Sequence, residues 1–145
     1  MRIAIASDHA AWELKAALAE WLRGEGHEVL DLGTDGPASV DYPDFGIALG
    51  KAIAEGSAER GIALCGSGIG ISIAVNRVRQ ARCALVSEPL SARLAREHND
   101  ANVIAMGARL IGPEMAKACI TEFLATGFGG DRHQRRVDKL IDPAL

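Results

Sequence analysis

The sequence predicts an α/β fold in which a three-layer αβα sandwich surrounds a doubly wound, five-stranded parallel sheet, with a basic C-terminal helix at the end of the chain. Strand-like and helix-like segments alternate along the chain, which is typical of successive βαβ units. The strand-like segments are short and almost continuously apolar, as expected for strands that helices cover on both faces. At 145 residues the chain is expected to form one domain, residues 1–145. Together these observations indicate a Rossmann-like arrangement.

Five apolar segments bounded by glycine, proline or charge are predicted as strands. They are residues Arg2–Ser7, Glu28–Leu32, Gly61–Leu64, Arg82–Val86 and Asn102–Met106. Six segments with apolar residues at helical spacing, or with proline in the first turn, are predicted as helices. They run from about His9 to Arg23, Pro43 to Glu55, Ile69 to Asn76, Pro89 to Glu97, Pro113 to Thr126 and Asp131 to Lys139. The first helix is predicted to bury the face that carries Leu14, Ala17, Leu18, Trp21 and Leu22.

The order of the strands predicts where the functional site lies. Right-handed crossovers favour the order 2-1-3-4-5, in which the chain reverses direction between strands one and three. Ligands bind outside the carboxyl ends of the strands at such a switch point. Asp8 and His9 follow the first strand, and Cys65 and Gly66 follow the third. We therefore expect these residues to form one site.

The strongest local signal is the glycine-rich turn that follows the third strand. Its glycines at alternate positions, Gly66, Gly68 and Gly70, let the backbone approach a ligand without an intervening Cβ. The helix predicted to begin here offers amide N–H groups and a positive dipole end, which favour an oxyanion or a thiolate. Cys65 is therefore the candidate base or nucleophile. Ser67 is a candidate helix cap and a candidate donor to an oxyanion, and the two roles are compatible.

Single positions exclude three common functions of a glycine-rich turn. A dinucleotide-binding fingerprint requires a third glycine where Ile71 stands. A phosphate-binding P-loop requires Gly-Lys-Ser/Thr, which does not follow here. A cysteine phosphatase requires arginine six residues after the cysteine, and that position is again Ile71. The turn therefore matches none of these classes.

The composition predicts the cellular compartment of the protein and the classes of partner that it does not bind. The net charge is −3, so we expect no binding to nucleic acid or to an anionic membrane. We expect no signal peptide and no membrane span. The cysteines Cys65, Cys83 and Cys119 are odd in number and far apart, which indicates a reducing, cytoplasmic setting without disulfides. The histidines lack metal-ligand spacing, so we expect no metal and no cofactor.

A basic cluster near the C-terminus allows two interpretations. Arg132 and Arg136 are four residues apart and lie on one helical face. They either form a solvated surface or grip an anion between them, since arginine pairs suit bidentate phosphate binding. Arg109, after the fifth strand, is a possible third cation. The His98–Asp100 segment either ends a helix and turns, or is functional.

Seven motifs that stand in order along the chain resemble one known family. They are Asp8-His9, Gly33-Thr34, Asp41-Tyr42-Pro43, Cys65-Gly66-Ser67-Gly68-Ile69-Gly70, Ser87-Glu88-Pro89, His98-Asn99-Asp100 and Arg132-His133-Gln134-x-Arg136. The sequence resembles ribose-5-phosphate isomerase type B, within a wider group that includes galactose-6-phosphate isomerase subunits. The resemblance implies a metal-independent aldose–ketose isomerase that interconverts ribose 5-phosphate and ribulose 5-phosphate through an enediolate.

The resemblance also assigns roles. The Cys65 thiolate would move a proton between C1 and C2 of the sugar, and His98 would open the furanose ring. Asp8 and Asn99 would orient hydroxyl groups. The negative oxygen would be held by Ser67 and by the backbone N–H groups of Gly66, Gly68, Ile69 and Gly70. The other substrate-binding residues would be His9, Tyr42, Arg109, Arg132, His133 and Arg136.

The resemblance further implies a homodimer, or a dimer of dimers, whose sites lie between subunits. The His98 segment and the basic tail would then face a partner's Cys65. Ser67 stands where many members of the family have threonine, Ala11 and Ala81 replace common glycines, and Trp12 follows Ala11. These changes affect the pocket's shape, so another sugar phosphate of four to six carbons remains an alternative substrate. A non-catalytic sugar-phosphate- or nucleotide-binding module is the alternative from another class.

Overall fold

The computed structural model describes residues 1–145 and contains five strands and six α-helices. The strands are β1 (Arg2–Ser7), β2 (Glu28–Asp31), β3 (Arg60–Cys65), β4 (Cys83–Leu85) and β5 (Val103–Gly107). The helices are α1 (Trp12–Gly24), α2 (Tyr42–Ala54), α3 (Ile69–Val75), α4 (Pro89–Asn99), α5 (Pro113–Ala125) and α6 (Arg132–Ile141). Every predicted element is present, with differences confined to its ends. None of the helices combines the length and apolar character needed to cross a membrane.

The sheet is entirely parallel and has the strand order β2-β1-β3-β5-β4. The predicted reversal between the first and third strands is confirmed. The predicted order 2-1-3-4-5 is wrong for the last two strands, because β5 and not β4 lies beside β3. All five residues of β5 are buried, whereas β4 has three residues that are partly or fully exposed. The more apolar strand therefore occupies the centre, and the short strand forms the edge.

Alternation along the strands builds two unequal cores. On the face covered by α1, α4 and α5, large side chains such as Ile3, Ile5 and Phe123 pack together. On the face covered by α2 and α3, the strands present mainly alanine, for example Ala4 and Ala6. Small residues let α2 and α3 approach the sheet and each other closely. The three-layer sandwich is confirmed.

Helix α1 begins three residues later than predicted, at Trp12 instead of His9. The Oδ1 of Asp8 accepts a hydrogen bond from the Ala10 amide at 3.0 Å, and the Asp8 carbonyl accepts one from the Ala11 amide at 3.2 Å. This Asx turn satisfies the backbone locally and competes with helix. It leaves Asp8 and His9 in a loop at the end of β1.

The buried face of α1 also differs from the prediction. Leu18 and Leu22 are buried as expected, but Ala17 is exposed and Lys15 is buried. Lys15 lies at the same helical face as Leu18 and Leu22, three and seven residues on. Its Nζ is 2.6 Å from Oδ2 of Asp31. The ion pair allows a charged group into the apolar face.

Candidate active site

The carboxyl ends of β1 and β3 open into a cleft of about 320 Å³. Parallel strands bring these ends to one edge of the sheet, as the strand order predicted. The cleft is lined by Asp8, His9, Ala10, Tyr42, Cys65, Gly66, Ser67, Gly70, Arg109 and Leu110. Most of these residues were predicted; Ala10 and Leu110 were not, because neither carries a chemical signal. A larger cavity of about 500 Å³ beside β4 includes Asn99 but lacks Cys65, so we place the chemistry in the smaller cleft.

Cys65 ends β3 at the floor of the cleft, with 4% of its surface exposed. Its Sγ accepts a hydrogen bond from the Gly68 amide at 3.1 Å. Gly68 adopts φ 78°, and a Cβ there would lie 2.7 Å from the main-chain carbon of Met106. Only glycine fits this left-handed position. The turn thus folds an N–H donor onto the sulfur at the floor of the cleft.

Three amides of the turn face no acceptor within the protein. The N–H groups of Gly66, Ser67 and Gly70 donate to no backbone or side-chain group, whereas that of Ile69 donates to Ser67 Oγ at 3.2 Å. Ile69 itself is half exposed and does not line the cleft. Only some amides of the glycine-rich turn are therefore free to donate to a bound oxygen. They are those of Gly66, Ser67 and Gly70, which follow Cys65 in the chain.

Two close approaches explain further glycines at this edge. A Cβ on Gly70 would lie 2.6 Å from the Tyr42 ring, so glycine lets α3 start against that ring. A Cβ on Gly107, at the end of β5, would lie 2.6 Å from the Ser67 carbonyl. Gly107 was not predicted as part of the site. Its place after a buried apolar strand was the available signal.

His9 and Asp8 present polar atoms to the cleft from the loop after β1. The Nδ1 of His9 accepts a hydrogen bond from the Val40 amide at 3.1 Å. In the neutral ring the proton must then be on Nε2, which becomes a donor toward ligand. Asp8 is 8% exposed. One of its oxygens is engaged by Ala10, as described above.

Arg109 contributes the cleft's arginine. Its amide donates to the Gly66 carbonyl at 3.0 Å, and the Ala108 amide donates to the Cys65 carbonyl at 2.9 Å. These bonds hold the segment after β5 against the glycine-rich turn. The guanidinium Nη1 would lie 3.2 Å from a Cβ on Gly66, so the cation covers that residue closely. An anionic group in the cleft would meet this charge.

The other predicted residues do not line this cleft. His98 and Asn99 end α4, which runs back from the carboxyl end of β4 to the amino end of β5. The Gly61 amide, at the start of β3, donates to the Asn102 carbonyl at 2.8 Å. At about 3.3 Å per residue, the five residues of β5 span about 16 Å. Within one chain, His98 therefore lies at the edge of the sheet formed by the amino ends of the strands, and Cys65 lies at the opposite edge, formed by their carboxyl ends.

His98 is held beside the basic helix. Its ring stacks on that of His133, with centroids 4.6 Å apart, and the Gly129 amide donates to the Glu97 carbonyl at 3.0 Å. Partial burial, followed by the electrostatic effects of Arg132 and His98, lowers the pKa of His133. His133 is therefore neutral near neutral pH. The structure groups His98 with α6, whose residues Arg132 and Arg136 are exposed.

No group of three or more histidine, cysteine, aspartate or glutamate side chains is arranged to hold a metal ion. The polar atoms of the cleft are instead a thiol, a hydroxyl, amides, a carboxylate, an imidazole and a guanidinium. Such a set can move a proton and stabilise a developing negative oxygen.

Comparison with known proteins agrees with this geometry. Residues 3–140 match the family model described as Ribose/Galactose Isomerase. The chain belongs to this family. It is 41% identical to ribose-5-phosphate isomerase B of Escherichia coli (strain K12) over 139 residues, covering 96% of this chain and 93% of the relative.

Solved structures from this family share the whole fold. Ribose-5-phosphate isomerase B of Clostridium thermocellum superimposes with a TM-score of 0.97 at 44% identity, covering 99% of this chain and 97% of the other. The Mycoplasma genitalium ribose-5-phosphate isomerase B with bound ribulose-5-phosphate gives a TM-score of 0.94 at 37% identity, covering 99% and 95%. The resemblance and the fold class predicted from the sequence are confirmed.

Proposed function

We propose that this protein is a sugar-phosphate isomerase that interconverts D-ribose 5-phosphate and D-ribulose 5-phosphate through an enediolate. The observation that carries the proposal is the Cys65 thiol, which accepts the Gly68 amide at 3.1 Å and borders a cleft with unpartnered amides. The family and the Mycoplasma genitalium structure with bound ribulose-5-phosphate support the choice of sugar.

In the proposed reaction the Cys65 thiolate removes the proton from C2 of the open-chain aldose. The electron pair forms the C1–C2 double bond, and the aldehyde oxygen becomes negative. Ser67 and the amides of Gly66 and Gly70 stabilise this oxygen. The hydroxyl proton passes from O2 to O1, sulfur returns its proton to C1, and O2 becomes the ketone oxygen. The proton is only relocated, so the reaction requires no metal or redox cofactor.

The remaining roles require a second subunit. We propose that His98 opens the furanose ring and that Asn99 orients its hydroxyls in the cleft of a neighbouring chain. Asp8, in the cleft, would orient a hydroxyl from the opposite side. The phosphate would be gripped by His9, Arg109, Arg132, His133 and Arg136. The placement of His98 and Cys65 at opposite edges of the sheet supports this arrangement in trans.

An apolar surface next to the cleft supports a homodimer or a dimer of dimers. Ile69 and Ile73 lie four residues apart on α3 and are 51% and 53% exposed, and Leu85 at the end of β4 is 47% exposed. The side chain of Leu85 reaches the start of α3 at Gly68. Strand β4 also has a free edge, because it pairs only with β5. Apolar surface beside a free strand edge favours association.

We propose that the chain works as one domain in the cytoplasm, since its free cysteines suit a reducing compartment. The decisive test is proton NMR of ribose 5-phosphate with the protein in deuterated water. We expect ribulose 5-phosphate to form, and deuterium from the solvent to enter at C1 of the ketose and C2 of the aldose. Bound sugar phosphate without carbon exchange would indicate a binding module instead.

The family description also includes galactose, so a hexose phosphate is the alternative substrate. The same chemistry on a hexose phosphate would require the cleft to accept a longer sugar. We expect kcat/KM to be highest for ribose 5-phosphate in a panel of four- to six-carbon aldose phosphates. A clear preference for galactose 6-phosphate or another hexose phosphate would assign that substrate instead.

A further inference from the structure

Lys15 is a buried charge outside the cleft for which the proposed reaction has no direct use. Only 1% of its surface is exposed. Its Nζ lies 2.7 and 2.6 Å from the two carboxylate oxygens of Asp31 and 3.1 Å from Oδ1 of Asp35. Asp31 is the last residue of β2, and Asp35 lies in the segment that follows it. The lysine therefore ties α1 to the start of the loop between β2 and α2, residues 32–41.

The first part of this loop is fastened to the end of β1. The Ser7 amide donates to the Gly33 carbonyl at 2.7 Å, and the Thr34 amide donates to the Ser7 carbonyl at 2.8 Å. The Gly33 amide in turn donates to Oδ1 of Asp31 at 2.9 Å. One Asp31 oxygen thus joins Lys15 to the turn that holds Ser7, the residue before Asp8.

The last part of the loop reaches the cleft. The Val40 amide donates to Nδ1 of His9 at 3.1 Å, and Tyr42 begins α2 and lines the cleft. The orientation and tautomer of His9 therefore depend on where Val40 is held. A loop of this length needs several anchors to hold one position, since its backbone entropy opposes ordering.

We propose that Lys15 is a positioning residue for the active site, acting through Asp31 and Asp35 to hold the 32–41 loop against His9 and Tyr42. The inference rests on the proposed function for its kinetic consequence. A buried ion pair adds little stability over an apolar side chain of similar size, and one of its attested uses is to specify a single arrangement. Here that arrangement is the position of the loop.

Hydrogen exchange tests the anchor without substrate. In Lys15→Met the amides of Thr34 and Val40 should exchange at least about tenfold faster, while that of Ile104 in central β5 keeps its protection. Lys15→Met leaves the Asp31 charge half buried and unpaired, which can destabilise the fold by itself. The double variant Lys15→Met/Asp31→Asn removes both charges, so that it tests the position of the loop without this loss of stability. We expect the two loop amides to stay fast in this double variant. Wild-type exchange at both amides, or a uniform increase that includes Ile104, would overturn the proposal.

Kinetics test the consequence for the site. With ribose 5-phosphate, Lys15→Met/Asp31→Asn should raise KM by about tenfold and change kcat by less than about threefold, because the loop orients groups that bind the substrate. Asp35→Asn, at a side chain that is 84% exposed, should keep the fold and shift KM in the same direction by less. Lys51→Met, an exposed lysine on α2, is the matched control and should leave both constants unchanged.

The two arms separate the failure of this inference from that of the proposed function. If the wild-type protein turned over no sugar phosphate, the proposed function would fail while hydrogen exchange still tested the anchor. If the wild type were active and the double variant kept its KM, Lys15 would be a packing residue and the positioning role would be wrong.

Discussion

The two edges of the sheet carry the two halves of the candidate site, and they are built differently. At the carboxyl edge, strand ends and a glycine-rich turn place buried groups such as Cys65, 4% exposed, and Asp8, 8% exposed. At the amino edge, exposed side chains such as His98 and Arg132 project from the ends of helices. A backbone hydrogen bond to sulfur and close glycine contacts position the first half within one chain. The second half has positive charge and imidazoles, and in the proposed arrangement it would act on substrate held in the cleft of a partner chain.

The largest expected effect is at the carboxyl edge. Cys65→Ala should lower kcat/KM by about 10³-fold or more, because it removes the group that acts as base in the proposed reaction. The substitution removes one sulfur and should leave the fold and phosphate binding intact. Turnover measured by coupled assay, together with ligand-detected NMR, checks both parts.

Cys83→Ala is the matched control for Cys65→Ala. Desolvation raises the pKa of Cys83 to about 12, so its thiol keeps its proton at neutral pH. Cys83 lies on edge strand β4 and does not line the Cys65 cleft. The control should retain wild-type turnover. Substantial activity in Cys65→Ala would mean that another residue is the base.

A hybrid protein tests whether the two edges work across subunits. Cys65→Ala and His98→Asn chains, each strongly impaired alone, would be co-expressed with different tags and purified through both. A dimer of one chain of each kind would have one complete site, so we expect about half of the wild-type activity per dimer. A hybrid as inactive as its parents would show that both residues serve one chain's site.

The contrast between the edges explains what the sequence could predict. The glycine-rich turn was recognised because its residues are adjacent in the chain and their chemistry is local. The distance between His98 and Cys65 depends on the path of α4, which runs back from the carboxyl end of β4 to the amino end of β5. Only the resemblance to a known family suggested that the two residues meet across subunits. The tertiary contacts of Val40 with His9 involve residues 31 positions apart, which no local pattern reveals.

The fold was predicted in class and in elements, but not in every placement. The order of β4 and β5 was wrong because parallel crossovers do not specify whether the next strand is adjacent or one place further out. The apolar strand Val103–Gly107 is fully buried, so β5 takes the central place beside β3 and β4 lies at the edge. The predicted buried face of α1 named only apolar residues and so omitted Lys15, although the spacing of Lys15 from Leu18 and Leu22 places it on that face.

The arginine pair tests whether the amino edge binds an anion. Arg132→Ala and Arg136→Ala should each raise KM for ribose 5-phosphate by about tenfold, with a smaller change in kcat, since they would bind the phosphate and not the reacting carbons. Steady-state kinetics check this. Arg135→Ala, on the same helix, is the control for lost charge and should leave KM unchanged. Unchanged KM in both test variants would assign the pair to a solvated surface.

The smallest effect is expected at the His98–His133 stack. Partial burial and then Arg132, His98 and Arg136 lower the pKa of His133, against a weaker opposing effect of Asp131. On acidification the unfolded chain binds its proton near the ordinary value of 6.5, before the folded chain does. Stability should therefore fall as pH drops through the range just below 6.5 and recover above it.

NMR titration of the imidazole checks this, and His133 should titrate below 6.5. His133→Asn should reduce the loss of thermal midpoint between about pH 7 and pH 5.5, because the variant no longer takes up this proton on unfolding. A titration at or above 6.5 would contradict the lowered pKa.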